Sequence, residues 1–136
     1  MSTLASRRWE IAAPAELTTA RIELSEALRN GMAVPSGSGD ADVERLLLAF
    51  EELASNGLRH GGPAVTVEVS STPDRWLIDV VDGRPDAVPT PAVGRDPAQG
   101  GLGLHLVARL SDSCGWARVG AVKHVWAVLE PAATPG

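Results

Sequence analysis

Val43, Leu46, Leu47, Phe50, Leu53 and Ala54 recur at helical spacing and line one stripe of a helix. This is the clearest periodicity in the chain. Asp40 is a candidate N-cap, and Gly61-Gly62-Pro63 ends the pattern, which predicts a helix over about 40–60. Such a stripe must be covered by other elements, so the remaining segments are expected to supply a sheet or further helices to bury it. Opposite the stripe the helix carries Glu52 and Asn56, four residues apart and therefore on neighbouring turns of one face.

The other segments are read against that helix. Trp9-Glu10-Ile11 suits a short edge strand. Pro14 suits a first helical turn, and Leu17, Ala20, Leu24, Ala27 and Leu28 extend a helix over about 15–30, stopped near Gly31. Val65 to Ser70 alternates as a half-buried strand does. Trp76 to Asp82 is nearly all apolar, which predicts a central strand covered on both faces. Residues 83–100 hold prolines at 85, 89, 91 and 97 among glycines and charges, and a loop of that length in a compact domain is usually functional. Leu104, Leu106, Val107 and Leu110 give a helical pattern. Residues 114–118 and 122–129 read as two closing strands joined at Gly120. The expected fold class is α+β, a two-layer sandwich of helices on one face of a mixed, mostly antiparallel sheet. One domain over 9–130 is expected, with flexible ends at 1–8 and 131–136.

Composition narrows the function classes. A hydrophobic content of 44% supports a globular core, and a net charge of −5 argues against binding a phosphate backbone. Arg7-Arg8 is too short a basic run to change that. Cys114 is the only cysteine, so neither an internal disulfide nor a cysteine zinc cluster can form. Cys114 is expected to be a small buried hydrophobe. No segment approaches the roughly 20 apolar residues of a membrane helix, and no secretory leader is evident. A cytoplasmic protein is expected. Trp76 and Trp126 are expected in the core, and Trp9 and Trp116 suit either core or partner surface.

Three short groups carry candidate chemistry. The amide oxygen of Asn56 could hold magnesium, and the carboxylate of Glu52 one turn away could take a proton from an attacking hydroxyl. The alternative is an ordinary solvated helix face. Asp82 ends an apolar strand and needs a donor if it is buried; otherwise Asp82-Gly83 is a simple turn. Gly100-Gly101-Leu102-Gly103-Leu104 could let backbone approach phosphate at a helix start, or serve only as a hinge. It is not a P-loop, since no Gly-Lys-Ser/Thr follows.

The order of these groups resembles the GHKL, or Bergerat-fold, ATP-binding domains, and in particular the small anti-sigma-factor serine kinases. Glu52-Leu53-Ala54-Ser55-Asn56 with His60-Gly61 resembles the family's N box, and Asp82-Gly83 its adenine box. Gly101-Leu102-Gly103-Leu104 resembles its second glycine box, and Lys123-His124-Val125-Trp126 its closing strand. The resemblance covers about 9–130. It implies ATP and Mg2+ as cofactors, Asn56 as metal ligand and Glu52 as catalytic base. It places Asp82 and Gly83 at the adenine, and Gly101, Leu102, Gly103 and Leu104 at the phosphates beneath a lid of about 83–100. It also implies γ-phosphate transfer to a serine of an anti-anti-sigma partner, sequestration of a sigma factor, and a homodimer. His60 either lines the pocket or ends the helix.

There are departures from the family pattern. The adenine box usually reads Asp-x-Gly, whereas here it is Asp82-Gly83-Arg84, and His124 stands where a threonine is usual. Both predict a weakened adenine end. The lid segment offers only Arg84 and Arg95 to a triphosphate. One rival is a partner-binding module of the same fold that is catalytically weak or inactive. A histidine kinase catalytic domain is a lesser rival, because residues 1–14 are too short for a dimerising helix.

Overall fold

Alternating burial along the strands sets the architecture. The computed structural model describes residues 3–60, 64–82 and 102–132, the side chains of 102–104 excepted. The elements are β1 (Ala5–Ile11), α1 (Pro14–Arg29), α2 (Asp40–His60), β2 (Val65–Ser71), β3 (Trp76–Asp82), α3 (Leu102–Leu110), β4 (Ser113–Val119) and β5 (Val122–Leu129). The strands form one sheet in the order β1-β2-β3-β5-β4, and every described ladder is antiparallel. This is the α+β sandwich expected, with the sheet fully antiparallel rather than mixed.

One sheet face meets the helices. Val65, Val67 and Val69 of β2, Ile78 and Val80 of β3, and Ala127 and Leu129 of β5 are buried there. They pack against Leu17 and Leu24 of α1, Leu46, Phe50 and Leu53 of α2, and Val107 of α3. Trp76 is fully buried on this face, as expected. Trp9 packs its ring edge-on against Phe50 at 5.3 Å and donates from Nε1 to Glu23. The start of α2 is held by a reciprocal cap: Gly39 C=O accepts the first helical bonds, and the Asp42 carboxylate accepts from Gly39 N–H at 2.9 Å. The cap therefore falls one residue before Asp40.

The structure corrects several expectations. The first strand begins at Ala5, so residues 5–8 belong to the sheet rather than to a loose end. Ala132 N–H donates to Asp42 at 2.9 Å, and Arg45 donates to the carbonyls of Leu110 and Glu130. The chain past β5 is thus tied to α2 as far as residue 132; residues 133–136 lie outside the described ones. β3 is not covered on both faces. Trp76, Ile78 and Val80 are buried, but Leu77 on the other face is 38% exposed, because no described element packs there. Trp126 lies on that same open face and is half-buried, not in the core. Its indole lies across Gly115, where a Cβ would sit 2.9 Å from the ring. Cys114 is exposed, because β4 is an edge strand. No helix among the described residues is long and apolar enough to cross a membrane.

Candidate functional site

The site is built where the second half of α2 presses onto the sheet. Gly57 makes that approach possible: a Cβ there would lie 2.9 Å from Val80 Cγ1 and 3.3 Å from Val65 Cγ1. Only a glycine lets the helix sit this close. The contact seats the Asn56–Gly57 turn over β3, two residues short of Asp82 on the same face of the strand.

Asn56 is more deeply placed than its helical position suggested. It is 4% exposed, at the border of the buried stripe rather than on a solvated face. Its Oδ1 is buried and has no hydrogen-bond partner among the described residues. A buried carbonyl oxygen left unpaired costs about 1–3 kcal/mol, so it calls for an explanation. Glu52 is half-buried one turn earlier and has no ion-pair partner among the described residues. Its neighbour Glu51 faces Arg21 on α1 at 3.3 Å.

Asp82 and Lys123 face each other at the end of the β3–β5 ladder. Asp82 is 4% and Lys123 2% exposed, and Lys123 Nζ lies 3.6 Å from Asp82 Oδ2. A charged pair this deep holds together because removing either partner strands the other in a poor solvent. His60, two turns beyond Glu52, joins the group: its pKa is lowered by burial and by the charges of Arg59 and Lys123. The imidazole is therefore held toward its neutral form. His60 is the last residue of α2, as one of its two expected roles required.

The structure reassigns the closing strand. Residues of β5 alternate, so Lys123 turns toward the helices and His124 turns to the open face. There His124 Nδ1 lies 2.9 Å from Asp79 Oδ2. His124 therefore turns away from the face that carries Asp82, so no contact with Asp82 carries the weakening expected from it. Lys123 was visible in the sequence only as part of a motif. Its parity relative to Asp82, which needs the strand register, is what marks it. Among the other predicted positions, Gly83 and Gly101 lie outside the described residues. Leu102, Gly103 and Leu104 form the first turn of α3, which packs against α2; nothing is described of the side chains of Leu102 and Leu104.

These residues fit magnesium held jointly with a nucleotide. Among the described residues no cluster of three or more His, Cys, Asp or Glu could cage a metal alone. Magnesium commonly keeps waters and phosphate oxygens and takes only one or two protein oxygens, which is what an unpaired amide oxygen beside one carboxylate offers.

Comparison with known proteins identifies the family and the fold. The sequence model of the histidine kinase-like ATPase domain matches residues 11–129. Among solved structures, the RsbU and RsbW domains of Rv1364c from Mycobacterium tuberculosis superpose with a TM-score of 0.60 at 16% identity. That match covers 91% of this chain and 32% of the other, so the chain spans about a third of that protein's length and shares its fold. None of the curated proteins matches. A family match that runs from the last residue of β1 to the last of β5, and so takes in Glu52, Asn56, Asp82 and Lys123, means that this chain belongs to the histidine kinase-like ATPase domain family.

Proposed function

We propose that the domain binds Mg-ATP between the second half of α2 and the ends of β3 and β5, and transfers the γ-phosphoryl group to a serine of a partner protein. The single observation that carries this reading is the buried, unpaired Oδ1 of Asn56 one turn from the half-buried Glu52. Bound magnesium would supply charge neutralisation at the phosphates. Asn56 would hold it and Asp82 would accept the adenine amine. Glu52 would take the proton of the serine hydroxyl as the serine Oγ–P bond forms and the bond from the γ-phosphorus to the bridging oxygen breaks, with ADP leaving. The Gly101–Leu104 turn would bring backbone amides to the phosphates, and Gly83 would border the base. Resemblance to the anti-sigma kinases supports a small anti-anti-sigma protein as phosphoryl acceptor and a sigma factor as the sequestered partner. A homodimer and a cytoplasmic location belong to the same reading.

A second reading, a partner-binding module that does not turn over ATP, is favoured by one observation: Asp82 already faces the buried Lys123. Thermal unfolding with and without Mg-ATP separates the two, since a ligand at 100 times its Kd stabilises by about 2.7 kcal/mol. Glu52→Ala should keep that stabilisation and abolish phosphoryl transfer to the partner. Transfer at the parent rate would remove Glu52 from the base role. An unchanged midpoint in the parent would favour the second reading.

A further inference from the structure

Arg45 lies on α2 about three turns before Asn56, outside the site described above. Its side chain is only 23% exposed, and its guanidinium joins three separate segments. Nη1 donates to the carbonyl of Leu110 at 2.8 Å, and Nη2 donates to the carbonyl of Glu130 and to Asp42 at 3.3 Å. Leu110 is the last residue of α3, where helical carbonyls lack partners inside the helix, so Arg45 caps that end. Asp112 completes the clasp: it accepts from Glu130 N–H at 2.6 Å, lies 3.7 Å from Arg45 Nη1, and donates its own N–H to the Val128 carbonyl at 2.8 Å. A planar guanidinium can serve two carbonyls at once in a fixed geometry, which a lysine ammonium on its flexible stem does not.

This attachment decides where the other end of α3 lies. Val128 pairs with Leu77 and Ser113, toward the end of the sheet opposite Asp82 and Lys123. From there α3 runs back along α2, with Val107 in the core between the layers. From Leu110 to Leu102 a helix rises about 12 Å, which along α2 is the distance from Arg45 to about residue 53. The first turn of α3 is therefore level with the part of α2 that carries Glu52 and Asn56. The buried, unpaired Oδ1 of Asn56 lies at that same level.

We propose that Arg45 is a positioning residue for the phosphate end of the nucleotide: by holding the Leu110 and Glu130 carbonyls together it fixes α3 so that its first turn meets the phosphates opposite Asn56. The inference rests on the placement of the phosphates at the Gly101–Leu104 turn proposed above. A nine-residue helix moves as one body, so a shift at Leu110 is delivered at Leu102. Small displacements matter here, because a misplacement of about 1 Å can cost roughly a hundredfold. Arg45 touches neither base nor phosphate, so its effect on binding should grow with the phosphate chain and spare the base.

The test measures Mg-ATP by titration calorimetry and AMP by displacement, in the parent, in Arg45→Met and in Arg45→Lys. Met keeps the packing of the stem and loses the hydrogen bonds; Lys keeps the charge and loses the fork. In Arg45→Met, Mg-ATP should weaken roughly tenfold or more and AMP by less than about threefold. Arg45→Lys should show the same bias toward Mg-ATP. An equal loss for both nucleotides would mean a general structural role, and no loss for either would mean no role; each overturns the inference and leaves the ATP site standing. Parent-like binding by Arg45→Lys also overturns it, because the charge rather than the forked bonds would then be responsible. Failure of the parent to bind Mg-ATP removes the site itself and the inference with it. If Arg45→Met does not fold, the comparison in Arg45→Lys decides.

Discussion

Asn56→Leu should stabilise the nucleotide-free protein, the opposite of the usual effect of changing a buried residue. Asn56 is 4% exposed and its Oδ1 has no partner among the described residues, so the folded state carries the cost of a desolvated, unpaired carbonyl. That cost is about 1–3 kcal/mol. Leucine has the same number of side-chain heavy atoms, although its methyl groups are bulkier than an amide, and adds a few tenths of a kcal/mol in helix propensity. Imperfect fit of the branched side chain offsets part of the gain. The net expectation is a gain of about 1–2 kcal/mol, or roughly 3–8 °C in melting temperature for a domain of this size. The same substitution removes the proposed metal ligand. In saturating Mg-ATP the parent should therefore gain about 2.7 kcal/mol at 100 times Kd, while the variant should gain nearly nothing. Urea unfolding with and without Mg-ATP measures all four values. A variant less stable than the parent without nucleotide would refute the argument that Asn56 is held at a cost. A variant that gains as much from Mg-ATP as the parent would refute its assignment to the metal.

Three further outcomes follow from the geometry. Gly57→Ala should lower stability by about 1 kcal/mol in urea unfolding, because a Cβ 2.9 Å from Val80 Cγ1 brings overpacking that exceeds the gain in helix propensity of about 1 kcal/mol; it should also reduce Mg-ATP affinity, since α2 must lift from β3. His60→Gln should flatten the pH dependence of the urea midpoint: the folded-state pKa lies below the ordinary 6.5, so only the unfolded chain takes up this proton as pH falls through 6.5 toward the folded value. The parent's His60-linked stability is then full above that window and lost across it. His124→Thr should leave Mg-ATP affinity within about twofold and cost less than about 1 kcal/mol, because its half-exposed pairing with Asp79 lies on the open face of the sheet; a large fall in affinity would contradict the strand parity.

The helical repeat of Leu46, Phe50 and Leu53, the alternation of Val65, Val67 and Val69, and the spacing of Glu52 and Asn56 were legible in the chain itself, and all three survive in the structure. Periodicity depends only on backbone geometry, which is local, so it determines which residues share a face. It does not determine what covers that face. The apolar run of β3 gave no sign that Leu77 would stay open, because that depends on whether another layer packs there. Cys114 is exposed because β4 is an edge strand, a fact of sheet order. Asn56 is buried because Gly57 lets α2 approach Val80, and Lys123 rather than His124 reaches Asp82 because of the register of β5 against β3. The sequence by itself determined the elements, their order and the chemically able residues. Only the tertiary structure decided which of those residues are removed from water and meet, since desolvation and contact are set by groups that are distant in the chain.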